Sequence, residues 1–502
     1  MSDVKVRVTT TGGTVEGFTR DGVTRWRSIP YAQPPVGPLR LRAPRPAVPW
    51  RGVRHCHEFA YCAPQKRRYT MVGVNKYQPM SEDCLTVNVV APEDLGNEPL
   101  PVMFFIHGGG YMLGSSATPM FDGVSLARRG CVYVSANYRL GALGCLDLSS
   151  LSTPDHPIDG NLFLRDLVLA LEWVRDNIAA FGGDPQRVTI FGESAGAHAV
   201  ATLLAVPAAG GLFSGAIAES PAGGMVRPAE LSAKFAEQFM EILGAERQNA
   251  AEVLKEKAGS RDLGRALDTL LVKTVSELAG SFALGPTIDA DYLPLEPFEA
   301  MERGEAHPVP VIVGNNAEEG RLFTRFLGMM PMTEPVIERM LEGLDPATRQ
   351  RIFAAYPEYP QRHACIQLGA DMCFGTAAWQ IAESHCKHAP TFLYRFDYAP
   401  RTFGWAGMGA THGTELFAVF GLYRTRLGSL LTVAADQRSA QQVTHDVQSR
   451  WTAFSRDGLP GEGWPAYRPD DRAVMVFDRR SRVEFDPTPA RRQAWEGFTL
   501  AR

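Results

Sequence analysis

Arg187-Val188-Thr189-Ile190-Phe191-Gly192-Glu193-Ser194-Ala195-Gly196-Ala197-His198-Ala199-Val200 is the stretch on which the fold turns. Residues 187–191 (RVTIF) read as a short buried strand, Ala195 opens a helix, and the five residues from Gly192 to Gly196 between them have the GxSxG form. The flanking glycines remove Cβ atoms that would collide at a sharp strand-to-helix turn. A strand entering such a turn and a helix leaving it place the serine hydroxyl at the end of a strand, which gives the pattern chemical meaning. The competing reading is a buried serine at a tight βα turn.

Outward from this elbow the same alternation repeats. Apolar runs bounded by turn residues occur at 102–106 (VMFFI), 131–136 (CVYVSA), 213–218 (FSGAIA), 309–313 (VPVIV) and 391–397 (TFLYRFD), and these predict buried, mainly parallel strands. Residues 162–180 carry Leu164, Leu167, Val168, Leu171, Val174 and Ile178 at helical spacing before Gly182-Gly183. The pattern predicts a doubly wound α/β sheet. The first fifty residues read as a hairpin followed by a Pro-rich extended run, an antiparallel edge to the main sheet. Residues about 226–300 and 330–385 are helical and interrupt the strands; they are expected as inserted helices over the sheet's C-terminal edge, within one domain spanning 1–502.

Charge narrows the functional classes. With 51 Lys+Arg against 55 Asp+Glu the formal charge is −4, which excludes a polybasic nucleic-acid binder. No run reaches the roughly 18–20 apolar residues of a membrane span, and the N-terminus alternates like a strand with no apolar signal core. A cytoplasmic protein with no membrane span is expected. The eight cysteines form no CxxC pair, against a zinc ribbon or a redox motif.

A serine hydroxyl needs a base to become a nucleophile, and donors to hold the oxyanion formed on attack. His107-Gly108-Gly109-Gly110-Tyr111 directly follows the run 102–106, and side-chain-free residues there can turn backbone N–H groups into a site. Gly109 and Gly110, with Ala195, are the expected oxyanion donors, and His107 the residue that pins the loop.

These motifs and others across the chain resemble the type-B carboxylesterase family of the α/β-hydrolase fold, which includes bacterial esterases and cholinesterases. Phe181-Gly182-Gly183-Asp184-Pro185 with RVTIFGESAG resembles the family's serine signature, and Glu82-Asp83-Cys84-Leu85-Thr86-Val87-Asn88-Val89 its second one. Further similar stretches are Ile29-Pro30-Tyr31-Ala32, Asn137-Tyr138-Arg139-Leu140-Gly141 and Gly160-Asn161. The resemblance implies a central, mostly parallel sheet flanked by helices, and a triad in the chain order serine, acid, histidine. Gly314-Asn315-Asn316-Ala317-Glu318-Glu319-Gly320 supplies the acid, with Glu319 before the glycine selected over Glu318. Thr411-His412-Gly413-Thr414-Glu415-Leu416 supplies the base, His412.

In this reading His412 takes the Ser194 proton and returns it to the leaving alcohol, while Glu319 fixes its tautomer. An unperturbed imidazole would titrate at about 6 to 7. His198 is read as a packing residue, and Glu193 either as biasing the field at His412 or as a solvated carboxylate. By the same resemblance Arg40 pairs with Glu82 and Arg139 with Asp166, and Cys62 and Cys84 match a loop-closing pair, expected here mostly reduced.

The loop between Cys62 and Cys84 lacks the Trp with which cholinesterases hold quaternary ammonium, so choline esters are not expected substrates. Lys66, Arg67 and Arg68 in that loop would either attract anions or simply be solvated. Residues 322–332 (LFTRFLGMMPM) and 403–408 (FGWAGM) suit a greasy pocket or ordinary core packing. The expected activity is cofactor-free, metal-free hydrolysis of small apolar or aromatic carboxylic esters through an acyl-enzyme, by a monomer or weak homo-oligomer. Two alternatives stand beside it: a non-catalytic binding protein, and a metal-dependent hydrolase using His385, Cys386, His388 and Cys373.

Overall fold

The computed structural model describes residues 4–246, 249–257, 261–277, 282–326, 330, 332–432 and 436–498. Its main sheet contains thirteen strands among these residues. In chain order they are β1 (Val4–Thr10), β2 (Gly13–Arg20), β3 (Val23–Pro30), β4 (Val53–His55), β5 (Thr86–Pro92), β6 (Leu100–Ile106), β7 (Val132–Ala136), β8 (Gly183–Glu193), β9 (Gly215–Glu219), β10 (Val311–Asn316), β11 (Thr391–Phe396), β12 (Ala473–Phe477) and β13 (Arg482–Phe485). The spatial order is β1-β2-β3-β5-β7-β6-β8-β9-β10-β11-β12-β13, with β4 beside β2.

From β7 to β12 every neighbouring pair in that order is parallel; the pairs on either side are antiparallel, apart from β4, which runs parallel to β2. The hairpin read from the first residues is β1–β2, joined at Thr10 and Gly13. The strands expected from apolar runs are present with shifted ends: 309–313 becomes β10 at Val311–Asn316, because the Pro310 ring cannot donate to a ladder. Strands β4, β5, β12 and β13 escaped the sequence reading.

Alternation along β6 shows how the sheet is buried on both faces. Val102, Phe104 and Ile106 pack with Phe163, Leu167 and Leu171 of α1 (Leu162–Asn177). Met103 and Phe105 face the other way, into a cluster with Phe420 and with residues of a long C-terminal helix over Gln437–Asp457, notably Trp451 and Phe454. The expected helical insertions contain α2 to α4 of the cap: α2 (Ala229–Ile242), α3 (Arg261–Glu277) and, in the second insertion, α4 (Thr376–His385). In α2 the spacing of Phe235 and Phe239 buries both rings, whereas Leu231 and Leu243 are half-buried.

Two ion pairs fasten loops in the first half of the chain. Arg139 grips Asp166 bidentately, Nη2 to Oδ1 at 2.6 Å and Nε to Oδ2 at 2.8 Å, with both side chains fully enclosed. Arg40 grips Glu82 at 2.7 and 2.8 Å with both partly open to solvent. Removing one partner of an enclosed pair strands a charge in a low-dielectric interior, at about 3–5 kcal/mol, while an exposed pair contributes about 1 kcal/mol or less. Arg139→Ala should therefore lower the denaturation midpoint far more than Arg40→Ala when both are melted in guanidinium. Equal shifts for the two variants would contradict this account.

Candidate functional site

The site residues come from the C-terminal ends of neighbouring parallel strands, where an open α/β sheet leaves a crevice. Ser194 follows β8 and stands at φ 60° and ψ −123°, immediately before the helix Ala195–Leu203. This conformation is strained for a residue with a side chain, and the packing around it holds it in place. A Cβ on Gly196 would lie 2.1 Å from the Ile106 carbonyl oxygen, one on Gly192 2.5 Å from the same atom, and one on Gly108 3.0 Å from the Ser194 Cβ. The glycine loop after β6 is thus seated directly on the elbow.

That loop is shaped by its own glycines. Gly109 has φ +112° and a Cβ there would strike the Leu113 carbonyl oxygen at 2.2 Å; Gly110 has φ +59°. The N–H groups of Gly109, Gly110 and Ala195 have no protein acceptor among the described residues. His107 pins the loop as expected: Nδ1 lies 2.9 Å from the Gly108 carbonyl, Tyr138 OH donates to the His107 carbonyl at 2.6 Å, and the two rings stack. Burial pushes the His107 imidazole down to about 4.

Glu319 lies just beyond β10 and His412 in the loop beyond β11. The carboxylate meets the imidazole, Glu319 Oε2 to His412 Nδ1 at 2.5 Å, with both side chains buried. Glu319 Oε1 accepts from the Asn316 backbone at 2.7 Å and from Ser220 Oγ at 2.6 Å. Glu318 points elsewhere, pairing with Arg321 and accepting from the Ala410 N–H at 3.1 Å. The structure brings Glu319 to His412 and leaves Glu318 at the surface.

The other side of the imidazole differs from the sequence expectation. His412 Nε2 lies 3.0 Å from Glu193 Oε1, and it makes no hydrogen bond to Ser194. Glu193 is buried rather than solvated. Burial acts to lower the His412 pKa, but the Glu193 and Glu319 carboxylates outweigh it and raise that pKa well above the ordinary histidine value. The expected titration at about 6 to 7 is therefore corrected upward: two anions bracket one imidazole and favour its cation.

Behind this pair lies a group that the sequence reading quoted but did not assign. Glu415 accepts from Asn316 Nδ2 and from Ser220 Oγ at 3.2 Å, and burial together with the Glu319 and Glu193 charges pushes its carboxyl up to about 8. Glu219, at the end of β9, accepts from Trp451 Nε1 at 2.7 Å and is likewise raised, by burial first. The only signal for these residues was polar positions directly after apolar runs, as in Glu219-Ser220.

Apolar contacts line the imidazole. Phe323 and Phe374 have ring centroids 5.0 and 4.6 Å from that of His412, and they stack on each other. Phe323 falls within the greasy segment read from sequence, whose residues 327–329 and 331 lie outside the described residues. Phe374 was missed; it sits in a π-helical turn at Asp371–Gly375, a distortion with no sequence mark. Trp405, read for either a greasy pocket or ordinary core packing, stands 71% exposed.

Other expectations resolve as follows. His198 faces Tyr111, sharing a 2.8 Å hydrogen bond with its hydroxyl, and burial lowers its imidazole to about 3. Lys66 pairs with Asp268 of α3 at 2.7 Å, while Arg67 and Arg68 lie over the rings of Tyr77 and Tyr69. All three cations thus have partners within the protein. Cys62 and Cys84 are buried free thiols. His385, Cys386, His388 and Cys373 do not assemble into a ligand cluster among the described residues: His385 Nε2 binds the Val309 carbonyl and His388 Nε2 the Glu302 carbonyl.

A family model described as "Carboxylesterase family" matches residues 4–495. The chain belongs to the carboxylesterase family. This esterase is a carboxylic ester hydrolase with the α/β-hydrolase fold, and it is 36% identical to the para-nitrobenzyl esterase of Bacillus subtilis (strain 168) over 97% of both chains. It is 33% identical to the fumonisin B1 esterase of Sphingopyxis macrogoltabida, over 96% of this chain and 86% of that one. A solved PNB esterase structure superposes with a TM-score of 0.85 at 34% identity, covering 99% of each chain. No helix among the described residues of the esterase is long and apolar enough to cross a membrane.

The two-carboxylate cradle makes a direct prediction. Followed by the NMR signals of its ring protons, His412 should titrate above 6.5, the value taken for a free imidazole. Glu193→Gln removes one of the two anions and should bring that midpoint down. A parent midpoint at or below the free-imidazole value would overturn the electrostatic reading.

Proposed function

We propose that the esterase acts through Ser194, His412 and Glu319, with the N–H groups of Gly109, Gly110 and Ala195 receiving the oxyanion. The observation that carries this reading is the 2.5 Å contact between Glu319 Oε2 and His412 Nδ1 at two strand ends beside the strained Ser194 elbow. Geometry of that kind lets the imidazole present one nitrogen to a neighbouring hydroxyl while the carboxylate fixes its tautomer.

The steps follow from the chemistry. Once His412 has given up its proton to solvent, which the two carboxylates make harder at neutral pH, its Nε2 swings from Glu193 to the Ser194 hydroxyl and accepts its proton as Oγ attacks the ester carbonyl. Negative charge collects on the carbonyl oxygen, where three backbone donors without protein acceptors receive it. The imidazolium then protonates the leaving alcohol, giving an acyl-enzyme. Water, activated by the same imidazole, releases the acid and regenerates Ser194. No cofactor or metal is required.

Phe323 and Phe374 against the imidazole support small apolar or aromatic esters as the substrate class. The names of the relatives point the same way only in part: one is a para-nitrobenzyl esterase, another a fumonisin B1 esterase. Asp268 pairs with Lys66, while Arg67 and Arg68 lie over tyrosine rings and keep their charge, so the loop still offers positive charge to an anion. The expectation of a single domain over 1–502 is kept as part of this proposal.

Ser194→Ala should retain the fold by circular dichroism and lose nearly all hydrolysis of p-nitrophenyl esters, and a fluorophosphonate should label Ser194 in the parent. Glu319→Gln should reduce kcat/KM by orders of magnitude, whereas Glu318→Gln should change it little. Turnover by Ser194→Ala near the parental rate, or the reverse ranking of the two glutamates, would refute the assignment.

A further inference from the structure

A second cluster of chemistry-bearing side chains lies at the antiparallel flank, where four strands of the sheet separate β2 from β8. His55 and His57 are two apart on extended chain, so their imidazoles share one face while Cys56 between them points into the core. β4 runs beside β2 with His55 in register with Glu16, and the Cys56 N–H continues the ladder by donating to the Glu16 carbonyl at 2.8 Å. This register places the Glu16 carboxylate, itself almost fully buried, under both rings.

Glu16 Oε1 lies 3.0 Å from His55 Nδ1 and 3.4 Å from His57 Nε2, and the three donor atoms lie within 4.8 Å of one another. A tetrahedral ion bound at 2.0–2.1 Å holds its ligand atoms about 3.3 Å apart, close to these two separations. His57 Nε2 is closed off from solvent and has no hydrogen-bond partner among the described residues, so its lone pair is free for a metal. Glu16 Oε2 is meanwhile held by Arg7 Nε at 2.8 Å, the kind of outer hydrogen bond that orients a ligating carboxylate.

The geometry points to a divalent transition-metal site, of the zinc(II) class, formed by Glu16, His55 and His57. Two imidazoles and one carboxylate suit borderline ions, and a lone carboxylate oxygen is too few for calcium or magnesium. Lys5 is the competitor: its ammonium stands 3.4 Å from Glu16 Oε1 on a largely exposed side chain, and an incoming ion displaces it. The bound ion ties β2 to residues 53–57, otherwise joined by a three-residue strand, and so fastens the N-terminal flank without touching Ser194.

The test titrates chelator-dialysed, full-length protein with Zn²⁺ by calorimetry, with Co²⁺ absorbance as a coordination readout and Ca²⁺ and Mg²⁺ as controls. One Zn²⁺ per chain is expected, with a rise in the thermal midpoint of about 2–5 °C at a hundredfold excess over Kd. His55→Ala and His57→Ala should each weaken binding about tenfold or more, and Lys5→Ala should tighten it by removing the competing cation. These three side chains are at least partly exposed, so the variants should fold even where Glu16→Gln does not. Absence of Zn²⁺ binding, or unchanged affinity in the His55→Ala/His57→Ala double variant, would overturn the site, as would a Lys5→Ala variant that binds more weakly.

Discussion

The approach of the Ile106 carbonyl to the turn after β8 is the constraint from which the rest of the site follows. Only hydrogen fits on the α-carbons of Gly192 and Gly196 there, because any Cβ would sit 2.1–2.5 Å from that oxygen. The close contact fixes the height of the turn against β6, and the height of the turn fixes where the glycine loop leaving β6 can pass. Gly108 then fits over Glu193 and Ser194 for the same steric reason. A strained serine and a loop of free N–H groups therefore come as one packed object. Its rigidity is supplied by strand pairing and aromatic burial on both faces of the sheet, with the Phe105 and Phe191 rings packed at a tilt 4.9 Å apart.

Around that object the electrostatics are unusually one-sided. Glu193, Glu219, Glu319 and Glu415 are all buried within the reach of one imidazole's environment, and hydrogen bonds from Ser220, Asn316 and Trp451 distribute among them. Burial favours neutral carboxyls, and mutual repulsion raises the outermost pKa values further. Glu415 and Glu219 are raised by burial first and by the neighbouring carboxylates second. The cationic imidazole is favoured before any substrate binds, and the balance between Glu193 and Ser194 as partners of Nε2 becomes a feature of the resting protein.

Most of the fold was legible because its signals are local. The elbow, the glycine loop and the helix over 162–177 each announce themselves within a dozen residues, through glycine placement and apolar spacing. β12 and β13 were missed: Ala473–Phe477 although it carries an apolar run like those read elsewhere, and Arg482–Phe485 because it alternates charged and apolar residues at the very edge and does not stand out from a loop. Within the site, residue types and their chain positions were readable, and Glu319 separated from Glu318 by resemblance. What could not be read was the partner of Nε2, since Glu193 and Ser194 are adjacent in sequence and only side-chain direction distinguishes them. Phe374 was hidden for a similar reason, in that a π-helical turn changes which face a residue occupies without changing composition. The basic triplet at 66–68 shows the converse: charge was visible, but the pairing of Lys66 with Asp268 depends on distant chain.

The order of strands in the sheet also bears on how the chain is made. From β8 to β13 each new strand lies beside the one synthesised before it, so a chain leaving the ribosome can extend one growing edge without rearrangement. The serine elbow is therefore complete while the segments carrying Glu319 and His412 are still untranslated. The edge exposed at that stage is an apolar parallel strand, β9, of the kind that pairs indiscriminately. The chain between β9 and β10, which includes the helices over Ala229–Ile242 and Arg261–Glu277, must be made before β10 arrives to occupy it. The length of that inserted stretch thus sets how long the edge waits for its partner.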